Sequence, residues 1–580
     1  MGNRYLLVIL LLAVGSSGLF ATEELETRSF DVRRLVELGS PLELNIAPAA
    51  YYGARTERGA RARFLSPKRL SEIFVERVDE IRPLRFIEGR VECTARPDQV
   101  AVIASTLHDL ESALPRQLSI ECLIVPARLA THPALSDLSA RGHELMSLAG
   151  VTYLRRLAED GVPISLSEER RVSAHSDFTV EQGGVHRLSP IVSEHEVGVR
   201  FSAIPYLLPD SRSVVLEFAG RASTCELREM VVGEDFSPLE LPRIDEAVVS
   251  TRVRIPTGRY TVIARVGGAA GGIVIARIDA RAATSRESRC RSYALASLVP
   301  SDVRCWPPGL ELELAGSADD PVADMHRNLR VNFGLEDANA SKFPSIWWTD
   351  ESRLILHGKP EQHARLESRL QQFCEVQFKS YQVSISRMVL PRSAMWEILG
   401  ERGAARELKL AWRDMIASRE DVALEEHTVR TLAHARFGIR SGLTHYYVSD
   451  FQSHGGAIRA YPADDPVVET IEGGITLTAI LGYDRTRPDV VDFRCRGVVR
   501  EHVALQRQAL EYPILLAVGD STDFDFSATS SMRVEIELAS ASFEKFDFTR
   551  SLPLGRDVVV EVVTAGETVR VLIARVEEAL

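Results

Sequence analysis

The chain repeats itself. RVECTARPDQVAVIASTLHDL begins at Arg90, and RLILHGKPEQHARLESRLQQF begins at Arg353. Aligning Pro97 with Pro360 gives a separation of 360 − 97 = 263, which also matches Arg90 with Arg353, Gln99 with Gln362 and Leu107 with Leu370. In the first copy Val100, Ile103, Leu107, Leu110 and Leu114 follow the three-four spacing of one helix face. His363, Leu366, Leu370 and Phe373 take the equivalent face in the second. Pro opens each helix at its first turn, where a missing N–H costs nothing. Strand-type segments precede each helix (RVECTA, RLILHG) and follow it (QLSIECLIV, YQVSISRMVL), so a strand–helix–strand unit is read twice.

The echo runs on. SLSEERRVSAHSDFTV at Ser165 is matched with ALEEHTVRTLAHARFGI at Ala423, which sets His175 against His434. VGVRFSAIPYLLPDSRSVVLEF at Val197 is matched with GGITLTAILGYDRTRPDVVDFR at Gly473, setting Phe201 against Leu477 and Ile204 against Ile480. TRVRIPTGRYTV at Thr251 parallels TRSLPLGRDVVV at Thr549, and VIARIDA at Val274 parallels LIARVEE at Leu572. Separations drift from about 258 to about 298, as small insertions would produce. The expected fold class is α+β: two tandem copies, each a strand–helix–strand module, then a helical stretch (HELMSLAGVTYLRRLAED; RELKLAWRDMIASRED), then a mostly antiparallel β domain. The boundaries read are 22–126 and 127–285 for the first module and β-rich part, 286–325 for a connector, and 326–390 and 391–580 for the second pair. GGAAGG at Gly267 falls between two strand patterns, where the second copy has TAGET, so it is expected to be a hairpin turn and not a phosphate loop.

Residues 1–21 have the plan of a signal peptide: MGNR, an apolar run YLLVILLLAVG, then the small residues of SSGLFA, with cleavage after Gly18 or Ala21. The chain is therefore expected to be exported to the periplasm or cell envelope. A net charge of −12 without any sustained basic run excludes a nucleic-acid surface as its main function. Seven Cys leave at least one unpaired. The candidate disulfides are Cys290 with Cys305, in the connector region, and Cys93 with Cys122, on the two strands flanking the first helix, if those strands are neighbours. A Cys290–Cys305 bridge would contribute about 3 kcal/mol in the chain-entropy account. The competing reading makes all seven small buried apolar residues.

Chemistry-bearing patterns are sparse. There is no H-E-x-x-H, C-x-x-C, P-loop or nucleophile elbow. His427 and His434 are expected at the entry of a strand, and no metal role is assigned to them. Asp520, Asp523 and Asp525 lack the glycine and distal glutamate of a calcium loop and read as a solvated turn. Trp347 and Trp348 are adjacent on a strand, one expected in the core and one at the rim. The acids of FSPLELPRIDEA are expected in a loop between strands, not as an acid/base pair. No catalytic residue, cofactor, metal or small-molecule substrate is inferred.

With the layout in hand, a family resemblance emerges. The opening RSFDVRRLV, RLSEIFVERV and EGRVECTARPDQVAVIASTLHDLE resemble the N-terminal modules of bacterial secretins. The β-rich halves resemble the secretin core domain in the strands Gly198 to Pro205, Val214 to Phe218, and Thr251 through Pro256 and Gly258. The second copy offers Gly474 to Gly482, Val490 to Phe493, and Pro553 with Gly555, and HYYVSDFQ at His445 is similar to a segment of exported proteins carrying this domain. The resemblance implies a ring-forming envelope protein of type II or type III secretion machinery. Here module and core-like half alternate twice, and Leu481 and Gly482 replace the core-strand proline in the second copy. The closing hairpin SFEKFDFTRSLPLGRDVVVEVV is charge-rich and no aromatic girdle is visible, which argues against strands facing lipid.

The expectation is a non-enzymatic exported envelope protein of secretin-like type, working by self-association or contacts with protein partners. A genuine outer-membrane secretin channel is the first alternative. An exported hydrolase with a dispersed site is the second.

Overall fold

The computed structural model describes residues 25–36, 65–78, 84–87, 89–181, 187–209, 211–231, 238–268, 270–280, 290–294, 345–348, 353–377, 379–399, 412–452, 465–483, 486–518 and 525–579. The first half runs β1 (Glu26–Asp31), α1 (Arg33–Val36), α2 (Pro67–Arg77), β2 (Arg85–Ile87), β3 (Arg90–Ala95), α3 (Pro97–Ser112) and β4 (Gln117–Pro126). Three 3-10 turns and α4 (Leu138–Arg141) lead to β5 (Thr152–Glu159), β6 (Ile164–Glu181), β7 (Arg187–Leu207), β8 (Ser213–Met230), β9 (Leu239–Pro256), β10 (Thr261–Val266) and β11 (Gly272–Ala280). The second half runs β12 (Cys290–Ala294), β13 (Ser345–Trp348), β14 (Arg353–His357), α5 (Pro360–Gln377), β15 (Ser380–Pro391), α6 (Arg392–Leu399) and α7 (Trp412–Ala417). It ends with β16 (Ala423–Leu432), β17 (Arg436–Gln452), β18 (Asp465–Tyr483), β19 (Val490–Val518), β20 (Asp525–Pro553), β21 (Asp557–Ala565) and β22 (Thr568–Glu578).

These strands form two eight-stranded and two three-stranded sheets. One large sheet has the order β21-β22-β15-β16-β10-β11-β4-β5, the other β20-β19-β18-β17-β9-β8-β7-β6. The small ones are β1-β3-β2 and β12-β14-β13. Pairing in all four is antiparallel. The large sheets stack face to face over one core, to which Ile120, Phe201, Phe218, Val249, Ile278, Val383, Ile439, Leu477, Phe493 and Val576 all contribute. Alternation puts the other side chains of β4 and β11 under the 3-10 turns, with Leu123, Val125 and Ile275 against Ala134 and Leu145. Met388, Val571 and Ile573 of β15 and β22 likewise pack under α6 and α7, against Ala394 and Trp412.

Local details recur between the halves. Gln99 Oε1 accepts the Arg96 N–H at 3.0 Å at the start of α3, and Gln362 Oε1 accepts the Lys359 N–H at 2.8 Å at the start of α5. Both amides satisfy a donor that the first helical turn would otherwise orphan. β6 has a bulge between His175 and Asp177, and β17 one between Val448 and Asp450. β10 is bulged between Val262 and Ala264, and β21 between Val559 and Glu561. Gly258 N–H donates to Ile278 O and Gly555 N–H to Val576 O, each at 2.8 Å.

Several expectations need correction. The strands expected to close each strand–helix–strand unit leave the module's own sheet: β3 and β14 lie in three-stranded sheets, β4 and β15 in an eight-stranded one. Their apolar residues are taken up on both faces, by the core and by the helical covers. Residues 152–159, expected in a helical stretch, form β5, because pairing with β4 overrides their helix-compatible composition. Of the second helical stretch, α7 is described, and residues 400–411 lie outside the described residues. The acids of FSPLELPRIDEA from Glu240 onward lie within strand β9, not in a loop. The match of His175 with His434 also fails. His434 sits in the turn before β17, with φ +59°, where the first half has Gly161 at φ +80°. Gly161 N–H bonds Pro205 O at 2.6 Å and His434 N–H bonds Leu481 O at 2.7 Å. His175 lies instead at the β6 bulge, the place taken in β17 by Val448. Similar lettering around two histidines outweighed the turn geometry, which a sequence does not display.

Candidate assembly surfaces

The two halves meet edge to edge in both large sheets. In one, β9 pairs with β17 from Gly438↔Ser250 to His445↔Arg243. In the other, β10 pairs with β16 at Ala264↔Val429 and Arg265↔Thr428. The glycine-rich hairpin tip expected at Gly267 seals this seam. Gly267 N–H donates to His427 Nδ1 at 3.1 Å, and Ser441 Oγ donates to Gly267 O at 2.7 Å. An Nδ1 that accepts leaves the ring proton on Nε2, which lies 3.3 Å from Glu425 Oε1. Burial pushes the Glu425 carboxyl up, but the His427 ring, Arg387 and Ser441 outweigh it and hold the group below its usual value. A side chain at Gly268 would put its Cβ 2.4 Å from Ser441 Oγ, so the close approach needs glycine there. Glu246 bridges the seam, 2.7 Å from Arg221 and 3.5 Å from Arg440.

The outer borders of the same sheets carry no strand partner among the described residues. β5 and β6 form one border, β21 and β20 the other. Unpaired N–H and C=O groups along such edges are a template for another strand. Large apolar side chains stand exposed on them: Leu157 at 50%, Phe543 at 71% and Val562 at 42%. Arg156 shields one edge by donating to Ser165 O at 2.6 Å.

The second small sheet is anchored by charge. Arg353 and Asp160, both buried, pair at 2.6 Å. Tyr293, Leu354, Leu356, Leu366 and Leu370 pack with Ile204, Tyr206 and Val215 of the adjacent large sheet. The opposite face offers Cys290 and Ile355 to the core of the first module. His357 Nε2 there lies 3.2 Å from Asp109 of α3.

The candidate disulfide residues are placed as follows. Cys93, in β3, and Cys122, in β4, are free buried thiols on different sheets, so the neighbour condition for pairing them is not met. Burial pushes the Cys122 thiol up to about 12 and that of Cys93 above its usual value. Cys290 is a buried thiol raised by burial in the same way, and Cys305 lies outside the described residues. Buried thiols of this kind behave as small apolar residues. Trp347 and Trp348 fall on β13, but their side chains lie outside the described residues, as do Asp520 and Asp523; Asp525 opens β20. No group of three or more His, Cys, Asp or Glu with metal-holding geometry occurs among the described residues, and no described helix is long and apolar enough to cross a membrane. Sequence reading missed the ion pairs Arg353–Asp160 and Arg252–Glu217, the latter at 3.7 Å with both side chains buried. Isolated Arg and Asp letters give no sign of a partner 193 residues away.

Comparison with known proteins gives the following. No protein-family model matches the chain, and no curated protein sequence does. Among solved structures, the chain is similar to the Salmonella SPI-1 type III secretion injectisome basal body proteins InvG, PrgH and PrgK, with 10% identity, a TM-score of 0.27, and coverage of 57% of this chain and 71% of that one. It is similar to the Salmonella SPI-1 injectisome secretin InvG, with 10% identity, TM-score 0.26, and coverage of 55% and 97%. Aeromonas hydrophila ExeD matches with 8% identity, TM-score 0.18, and coverage of 96% and 90%.

Proposed function

We propose that this chain is a non-enzymatic, exported envelope protein of secretin-like type, related to type II/III secretion machinery, built from one unit copied in line and acting through subunit or partner contacts. Residues 1–21 are the signal peptide, 22–285 the first module and its β-rich part, 286–325 a connector, and 326–580 the second module and β-rich part. The observation that carries the reading is the edge-to-edge joining of the two halves in both large sheets. The same bulges, capping amides and left-handed turn positions recur on either side of that seam. A copied unit that mates with its neighbour through sheet edges has contact-making as its built-in chemistry. The secretin assignment itself rests on the sequence resemblance at Gly198 to Pro205, Val214 to Phe218 and Thr251 to Gly258.

Cell fractionation with N-terminal sequencing tests the proposal. A mature chain starting after Gly18 or Ala21 and found in the periplasm or envelope supports it. An unprocessed chain in the cytoplasm refutes it, and heat-resistant rings extracted only by detergent would favour the channel reading instead.

A further inference from the structure

The seam between β10 and β16 carries a polar floor on its outer face. Gln382 and Ser384 of β15 lie opposite Arg430 and Thr428 of β16, and alternate strand residues share a face. Arg265 of β10 lies opposite Thr428 across the seam, which makes Arg430 its diagonal neighbour at about 7–8 Å. On one side of this floor stands the 3-10 cover of the first half, with Leu138 and Tyr260. On the other stands α7 of the second half, with Trp412. A cleft of about 970 Å³ opens between the two covers.

Charge in the cleft is unevenly matched. Arg413 lies 3.2 Å from Glu426 and 3.9 Å from Asp557. Arg575 lies 3.7 Å from Asp557 and also pairs with Glu577, while Trp412 Nε1 donates to Asp557 Oδ2 at 2.9 Å. These three acids of the cleft are thereby engaged. Arg259, Arg265 and Arg430 line the same cleft and form no ion pair among the described residues. Arg430 Nε is buried and meets no hydrogen-bond partner, and burial pulls that guanidinium below its usual value. A desolvated cation is costly until an anion meets it, and like charges side by side on a sheet repel. The chain as a whole is acidic, at −12, so this concave cluster of uncompensated arginines stands apart from the rest of the molecule.

We propose that the cleft binds a small, multiply charged oxyanion, a polycarboxylate or a polyphosphate, with Arg259, Arg265 and Arg430 as its cationic contacts and the Gln382 amide beside them. The guanidinium fork matches the paired oxygens of either group. The volume lies at the upper end of sites that hold small molecules. An extended peptide finds no strand to pair with here, because β10, β15 and β16 each have strand neighbours on both sides. A nucleobase finds no free stacking face, since Trp412 and Tyr260 are buried, with Arg413 5.0 Å from one ring centre and Arg277 5.3 Å from the other. Arg259 and Arg265 come from the first half and Arg430 from the second, so a bound anion would also tie the halves together at their seam.

Titration calorimetry and thermal melts of the purified full chain in low-salt buffer test this, with citrate and tripolyphosphate as separate probes. One anion per chain should bind and raise the melting temperature. Binding of citrate alone identifies the polycarboxylate, and of tripolyphosphate alone the polyphosphate. Arg265→Gln and Arg430→Gln should each weaken binding about tenfold. Arg265 is exposed, so its variant keeps the test open should the Arg430 variant fail to fold. Arg171→Gln removes an exposed arginine of β6, outside the cleft, and should leave the affinity unchanged. A folded protein that binds neither probe overturns the proposal, and so does an equal loss from Arg171→Gln, which would mean diffuse attraction to any surface cation. The titration does not depend on export, so a chain that binds the anion but stays in the cytoplasm sinks the functional reading alone.

Discussion

Arg353, at the start of β14, reaches Asp160, in the turn after β5, at 2.6 Å, with both side chains buried. The guanidinium also donates to Asp160 O at 2.7 Å, while Asp160 Oδ1 accepts the Leu207 N–H at 2.8 Å. A charge pair taken out of water is tolerated only when its remaining valences are met in this way. It ties the second small sheet to the first β-rich part. Asp160→Asn should therefore destabilise the protein by about 3–5 kcal/mol, because it strands a buried guanidinium. Urea unfolding measures the loss, and early proteolysis within 345–377 would show that the anchor itself has failed. A change within experimental error would mean the pair anchors nothing.

The two left-handed turn residues give opposite expectations. At Gly161, an added Cβ would sit 2.8 Å from Arg353 Nη1 in a backbone conformation that already disfavours side chains. Gly161→Ala should cost at least about 1 kcal/mol. His434 carries an exposed side chain in that same conformation, so His434→Gly should be neutral or stabilising by up to about 1 kcal/mol. Thermal melts of the two variants decide it, and the expectation fails if both move in the same direction.

Burial holds His195 below its usual 6.5, with its ring edge-on to Tyr446 and Nε2 3.0 Å from Ser193 Oγ. The unfolded chain then binds a proton there more readily than the folded one. The resulting stability is complete above pH 6.5 and is lost as pH falls below it towards the folded value. The melting temperature should drop on acidification through this window, and His195→Gln should flatten the drop. An identical pH profile for the variant would rule this histidine out as the cause.

Thiol labelling should follow burial. Without denaturant, half-buried Cys225 should react before Cys93, Cys122, Cys290 and Cys495, because burial raises all five thiols but keeps only these four out of reach. Peptide mapping after alkylation reads the order directly. A Cys93–Cys122 disulfide in the oxidised protein would contradict the placement of these residues on separate sheets.

Much of the architecture could be read from letters. The helices opening at Pro97 and Pro360, the hairpin tip at Gly267 and the strands flanking Phe201 and Leu477 all stand where periodicity and turn chemistry put them. Sheet membership could not be read, because a strand such as β4 shows only that it is apolar, not which neighbour it meets. Thr152–Glu159 shows the same limit, since a segment rich in Leu and Arg takes the structure of whatever edge it lies beside. The seam between the halves was invisible for a related reason. Ala264 and Val429 are ordinary apolar letters until the fold brings their strands together.

The central claim is that the chain is a contact-making unit whose two halves join edge to edge in both large sheets. Measuring particle mass of the purified full chain over a range of concentrations tests it most directly. The account predicts multimers rising in whole steps of the 64.3 kDa chain (less the signal peptide if it is cleaved). A single species of one chain mass at every concentration would contradict it.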